Sequence, residues 1–121
     1  MADEIYELQG VRIYEVAREG ALLKSERDAT DIIGAAFSER CSIVMLPVER
    51  LGHDFFHLKT RIAGEMLQKF VTYGFRVAVI GDIAEHVRAS DALRDFVYES
   101  NRGKHIWFVA NIAELEEKLK A

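Results

Sequence analysis

Three short apolar runs, Ile43 to Leu46, Val77 to Ile80 and Ile106 to Val109, are uninterrupted by polar residues. Continuous hydrophobicity over this length predicts strands buried on both faces, as in a parallel sheet covered by helices. Pro47 lacks a ladder donor and closes the first run, and Gly81-Asp82 closes the second. Ile5 to Val16 reads differently. Its β-branched, aromatic and charged residues nearly alternate around Gln9-Gly10, which predicts an antiparallel hairpin with one face on a core and one in water.

Between these runs the apolar period lengthens to three and four residues, the spacing of helices. Ser25 ahead of Glu26 and Asp28 predicts a helix start, because a hydroxyl accepts from exposed N–H groups and carboxylates suit the positive end of the dipole. Ala29, Ile32, Ile33, Ala36 and Phe37 form its inward stripe. The longest pattern runs from Asp54 to Tyr73 and ends at Gly74, suited to a left-handed cap. Plotted at about 100° per residue, Ile62, Ala63, Met66, Leu67, Phe70, Val71 and Tyr73 share one arc. Lys59 falls in the same arc, which predicts a break near Lys59 and Thr60. Thr60 would cap the new start, and Asp54 to Leu58 would be a separate turn whose phenylalanines enter the core.

A further helix is expected from Ser90 to Gly103, with Leu93, Phe96 and Val97 inward, preceded by an extra turn over Ala84 to Arg88. Asn111 and Glu114 match a capping box for a last helix carrying Ile112, Leu115 and Leu119 on one stripe. The order is strand, strand, helix, strand, helix, strand, helix, strand, helix. It predicts a single α/β domain over residues 1–121, a small mixed β-sheet with an N-terminal hairpin and alternating helices.

Composition narrows the partners. Half of the 121 residues are hydrophobic and 30% are charged, enough apolar surface to fold without staples. A formal net charge of -4 argues against nucleic acid as a partner. The single cysteine, Cys41, forms no internal disulfide and fits a reducing, cytoplasmic setting. The start, Met-Ala-Asp-Glu-Ile, lacks the basic flank and apolar run of a signal peptide, and no segment has the length of a membrane span, so neither export nor a membrane is expected.

Residues following parallel strands gather at the carboxyl edge of a sheet, where α/β proteins place ligands. This edge is expected to hold Glu49, Arg50, His53, Asp54, Asp82, His86, Ser90 and Asn111. The spacing of four between His53 and His57, and between Asp82 and His86, offers nitrogens and a carboxylate to a metal, whereas capping and surface polarity are the plainer reading. Glu49, Asp54 and Asp82 offer carboxylates for proton transfer. The plainer roles are a salt bridge for Glu49 with Arg50, a turn cap for Asp54 and a loop anchor for Asp82. Cys41, at a helix carboxyl end, is read as a buried thiol. Gly81 and Gly103 belong to no dinucleotide or phosphate-loop pattern, and no cofactor is implied. At the opposite edge, Glu99, Asn101 and Arg102 are a candidate partner patch, against a structural reading in which Asn101 and Gly103 end the helix and Arg102 meets exposed carbonyls.

The segments Asp54-Phe55-Phe56, Ala63-Gly64-Glu65, Gln68-Lys69-Phe70, Gly81-Asp82 and Leu93 through Gly103 resemble a bacterial family catalogued as the domain of unknown function numbered 4180. That resemblance spans nearly the whole chain, implies a bacterial cytosolic setting and carries no catalytic residue. A looser similarity is to the sulfate-transporter and anti-sigma-factor-antagonist domains, whose small mixed sheet has a comparable element order. In those regulators a Ser or Thr after a central strand is phosphorylated to switch partner binding. Here Val48 to Phe56 lacks the serine pair, and Thr60 is the nearest hydroxyl. Fold analogy alone implies a regulatory or scaffold role. The leading expectation is a non-enzymatic module that binds a protein partner or a second copy of itself, and the alternative is a small-molecule or metal-binding protein, or an enzyme, using the carboxyl edge.

Overall fold

Gln9 and Gly10 both adopt left-handed backbone, with φ of 52° and 76°. Their tight turn joins β1 (Glu4–Leu8) to β2 (Val11–Glu15) in the antiparallel hairpin expected from the alternation. The computed structural model describes residues 2–120. After the hairpin come α1 (Glu26–Ser38), β3 (Ile43–Pro47), α2 (His53–Phe56), α3 (Ile62–Thr72) and β4 (Arg76–Ile80). The chain continues through α4 (Ala84–Ala89), α5 (Asp91–Arg102), β5 (Ile106–Val109) and α6 (Ile112–Lys120).

Local chemistry sets these boundaries. Ser25 Oγ accepts from the Asp28 N–H at 3.2 Å while the Asp28 carboxylate accepts from the N–H groups of Lys24 and Ser25, a reciprocal cap that starts α1. The expected break is present. A single 3-10 turn over Leu58–Thr60 separates α2 from α3, and Arg61 follows in left-handed backbone at φ 68°. Thr60 Oγ1 lies 2.7 Å from the Asp54 carbonyl and accepts from the Ile62 N–H, tying the two pieces together. Phe55 and Phe56 are buried, as expected.

The five strands stand in sequence order, β1-β2-β3-β4-β5, with β2 through β5 parallel. Successive parallel crossovers of one hand, all stepping the same way, lay their helices on one face. Accordingly Val44, Leu46, Val77, Val79 and Phe108 pack with residues of α1, α2, α3, α4 and α5. Ile13, Ile43, Met45, Ala78, Ile80, Trp107 and Val109 line the other face, covered by Leu115 and Leu119 of α6. Leu115 is fully buried, worth roughly 1.5–3 kcal/mol relative to exposure. One short helix thus seals a face that five elements seal on the other side.

Three residues assigned inward by periodicity are outside. Phe37 is 76% exposed, Tyr73 58% and Ile112 38%. Phe37 lies at the rim of the α1 stripe, next to the fully buried Ala36, and Tyr73 falls just past the end of α3, where the helical rotation stops. Ile112 opens α6 outside the carboxyl ends of the strands, above the face that Leu115 seals. Among the described residues no helix is long and apolar enough to cross a membrane.

Candidate functional site

The connections from β2, β3 and β4 all turn onto the layer containing α1 to α5, whereas β5 turns the other way into α6. The chain therefore leaves neighbouring strands β4 and β5 in opposite directions, which opens a crevice outside their carboxyl ends. Gly81 and Ala110 lie in the middle of it and border a cleft on each side. Toward the helix layer is a largely apolar cleft of roughly 400 Å³, bounded by Asp82, Ile83, Val87, Val97 and Phe108. Toward α6 is one of roughly 370 Å³, bounded by Arg18, Glu49, Ile80, Asn111 and Ile112. Gly81 sits at φ 136°, and a Cβ there would lie 2.7 Å from a Val48 methyl, so the position requires glycine.

Most of the polar residues expected at this edge are engaged in building it. Arg50 does not pair with Glu49. Its Nε donates to the Ala21 carbonyl at 2.7 Å, and its terminal nitrogen donates to the carbonyls of Ala17 and Glu19 at 2.9 and 3.2 Å. The carbonyls win because the 17–24 loop folds back over Arg50, placing three acceptors around one guanidinium. Gly20, at φ 134°, packs against it so closely that a Cβ would meet the guanidinium carbon at 2.9 Å. Asp82 anchors its loop by accepting from the Ala84 N–H, Ser90 caps α5 through the Leu93 N–H, and Asn111 caps α6 through the Glu114 N–H. Glu114 reaches back to the Ala110 N–H. Asp54 does not cap with its carboxylate, since it stands inside α2 behind Gly52; its backbone carbonyl receives Thr60 instead.

His53, His57 and His86 come near one another. The His53 ring lies 6.2 Å from His57 and 6.3 Å from His86, and His86 stacks on Phe56 at 4.3 Å and 16°. Among the described residues, no group of three His, Cys, Asp or Glu side chains converges tightly enough to hold a metal ion. Glu49 is exposed and lines the α6-side cleft.

At the amino edge the candidate patch divides. The Asn101 amide donates to the Phe108 carbonyl at 3.2 Å and accepts from the Phe108 N–H at 2.7 Å, so a side chain occupies the outer edge of β5 as a paired strand would. Lys118 Nζ donates to the Asn101 backbone carbonyl at 2.7 Å, joining α6 to the same point. Arg102 meets the Glu99 carboxylate at 3.5 Å and lies over the Tyr98 ring; it does not reach helix carbonyls. Glu99 and Arg102 are exposed, and Asn101 is half-buried. The same layer presents Phe37, Tyr73 and Tyr98, the last 63% exposed. A shallow groove of roughly 720 Å³ crosses α3 at Gly64, with Leu58, Arg61, Lys69 and Phe96 at its margins.

Arg18 and Ile112, like the apolar lining of the crevice, were not among the expected site residues. The signal for Arg18 was its place just after β2. That strand read as half of a hairpin, yet its other edge pairs parallel with β3, so the loop after it joins the carboxyl edge. Ionisation is displaced elsewhere. Burial, aided by Glu15, pushes the Tyr6 hydroxyl up to about 12, and burial with the 2.6 Å bond to Asp3 raises Tyr14 above the usual tyrosine range. Burial also raises the Cys41 thiol, against a smaller lowering by Arg12.

These features define a small mixed α/β protein with α1 to α5 on one face of a sequentially ordered sheet and α6 on the other. The family model described as a domain of unknown function (DUF4180) matches residues 8–119, and the chain belongs to that family. No curated protein and no solved structure matches it, so the similarity to the sulfate-transporter and anti-sigma-factor-antagonist domains rests on element order alone.

Proposed function

We propose that the chain is a non-enzymatic protein-interaction domain that docks its partner on the exposed face of the helix layer. The supporting observation is the placement of Phe37, Tyr73 and Tyr98 toward the carboxyl ends of α1, α3 and α5. Those helices run the same way in one layer, so the aromatics fall toward one end of it. Exposed aromatics gathered on neighbouring elements favour protein contact, where large rigid side chains contribute most. Lys69 lies 5.8 Å from the Tyr73 ring centre and Arg102 5.6 Å from that of Tyr98, giving two rings a cationic partner. Gly34 and Gly64, in α1 and α3, have nothing beside their missing Cβ, and they leave room for a close backbone approach.

A photo-cross-linking residue placed at Phe37, Tyr73 or Tyr98 in the native cell tests this reading. A discrete adduct is expected from these positions and not from Glu7 on β1. The adduct at Tyr98 should disappear when Phe37 is changed to Ser, with the circular dichroism spectrum unaltered. Equal labelling from Glu7, or an adduct indifferent to Phe37→Ser, would refute it.

A further inference from the structure

Arg18 and Glu49 border the same cleft of roughly 370 Å³, with Ile80 and Ile112 beside them. No ion pair joins Arg18 to Glu49, and neither has one with any other described residue. Their backbones are held in place. Arg50 grips the carbonyls of Ala17 and Glu19, on either side of Arg18, and its own carbonyl accepts from the Leu23 N–H at 2.8 Å. Glu49 immediately precedes Arg50 in a single 3-10 turn, so one anchored residue fixes the origin of both charges. The requirement for glycine at position 20, against the guanidinium, keeps that anchor tight.

Opposite charges left apart on one cleft, each rising from an anchored backbone beside apolar side chains, match a ligand that carries both charges itself. We infer that this cleft binds a small zwitterion, an aliphatic α-amino acid whose carboxylate meets Arg18, whose ammonium meets Glu49 and whose side chain covers Ile80 and Ile112. The volume lies at the lower end of the range for small-molecule sites. A simple anion would gain Arg18 but face Glu49, and a simple cation would meet the reverse. A phosphate-bearing ligand would carry its charge toward the carboxylate as well. Ile112, exposed at the cleft margin, supplies apolar contact that an amino acid without a side chain would not use. Asn111 also borders the cleft, but its side-chain oxygen is already engaged by the Glu114 N–H. The site lies at the edge of the sheet opposite the aromatic end of the helix layer and does not depend on that surface.

Isothermal titration of the whole chain with L-leucine, N-acetyl-L-leucine and L-leucinamide is the test. L-leucine is expected to bind at least about tenfold more tightly than either blocked form, since each lacks one charge. Arg18→Gln should erase the difference between leucine and leucinamide, and Glu49→Gln that between leucine and N-acetyl-leucine. Both side chains are exposed and unpaired among the described residues, so neither change should alter the fold. The inference is overturned if leucine, isoleucine and valine all give no binding at about 10 mM. It is equally overturned if the blocked forms bind as well as leucine, or if the two substitutions leave the discrimination intact.

Discussion

Replacing Asn101 by Ala should unlatch the outer edge of β5. The amide makes two hydrogen bonds to one residue, through its nitrogen to the Phe108 carbonyl and through its oxygen to the Phe108 N–H. Phe108 is buried, so neither backbone group gains full access to water when the amide is removed. Each lost bond costs about 0.5–1.5 kcal/mol net, and a backbone group left unsatisfied raises that toward 1–3. The expected loss is about 2–4 kcal/mol. With an unfolding entropy of about 2.1 cal/mol/K per residue, a chain of 121 residues loses about 4 °C of midpoint per kcal/mol, so the fall is about 8–16 °C. Urea unfolding with an unchanged slope would show that stability moved and compactness did not. Asn101→Asp keeps an acceptor for the Phe108 N–H but turns a second carboxylate oxygen toward the carbonyl. It should lose a comparable amount at neutral pH and regain part of it on acidification, as the protonated acid restores a donor. Amide exchange at Phe108 is the local readout. A loss below about 0.5 kcal/mol, or unchanged protection at Phe108, would refute the reasoning, because the edge would then be satisfied by solvent.

Three further outcomes follow from the same geometry. Gly34→Ala and Gly64→Ala should each stabilise by about 0.5–1 kcal/mol in chemical denaturation, since both helix positions have open space where a Cβ would go. Arg50→Ala should cost about 2 kcal/mol and expose the 17–24 loop to proteolysis, because three carbonyls lose one charged donor together. Raising the pH should destabilise the fold: Tyr6 titrates at about 12 when folded but near its ordinary value of 10.0 when unfolded, so its contribution is complete below 10.0 and is lost as pH rises to 12. Tyr14, displaced in the same direction, adds to that loss, and Tyr14→Phe should flatten the alkaline branch followed by tyrosinate absorbance and unfolding midpoint.

The continuous runs at Ile43, Val77 and Ile106, the cap at Ser25 and the break after Lys59 were legible because each depends on neighbours within a few residues. Phe37, Tyr73 and Ile112 were misplaced for a related reason. Periodicity assigns a side to each helical position but fixes neither how wide the covered arc is nor the residue at which the helix stops or starts. The engagement of Arg50 was invisible, since its acceptors lie about thirty residues earlier in a loop with no period of its own. Asn101 read as a helix ending because its second role depends on β5 passing beside it. Of the residues expected at the carboxyl edge, Glu49, Asp82 and Asn111 border the crevice, and Arg18 escaped notice because β2 reads as half of a hairpin although it also pairs parallel with β3.

Because every strand pairs with its immediate predecessor, no strand of this sheet has to wait for a later one to take its place between neighbours. During synthesis, β3 emerges after the hairpin it joins, β4 after β3 and β5 after β4, each preceded by its crossover helix. The sheet can therefore grow in step with translation, and contacts close over short stretches of chain, the condition under which loop closure is least costly. The exception is the face beneath α6. Ile13, Ile43, Met45 and Ala78 are laid down early but are covered only when the last helix arrives. In the interval before that arrival a nascent chain would present this apolar face to chaperones or to a neighbouring copy.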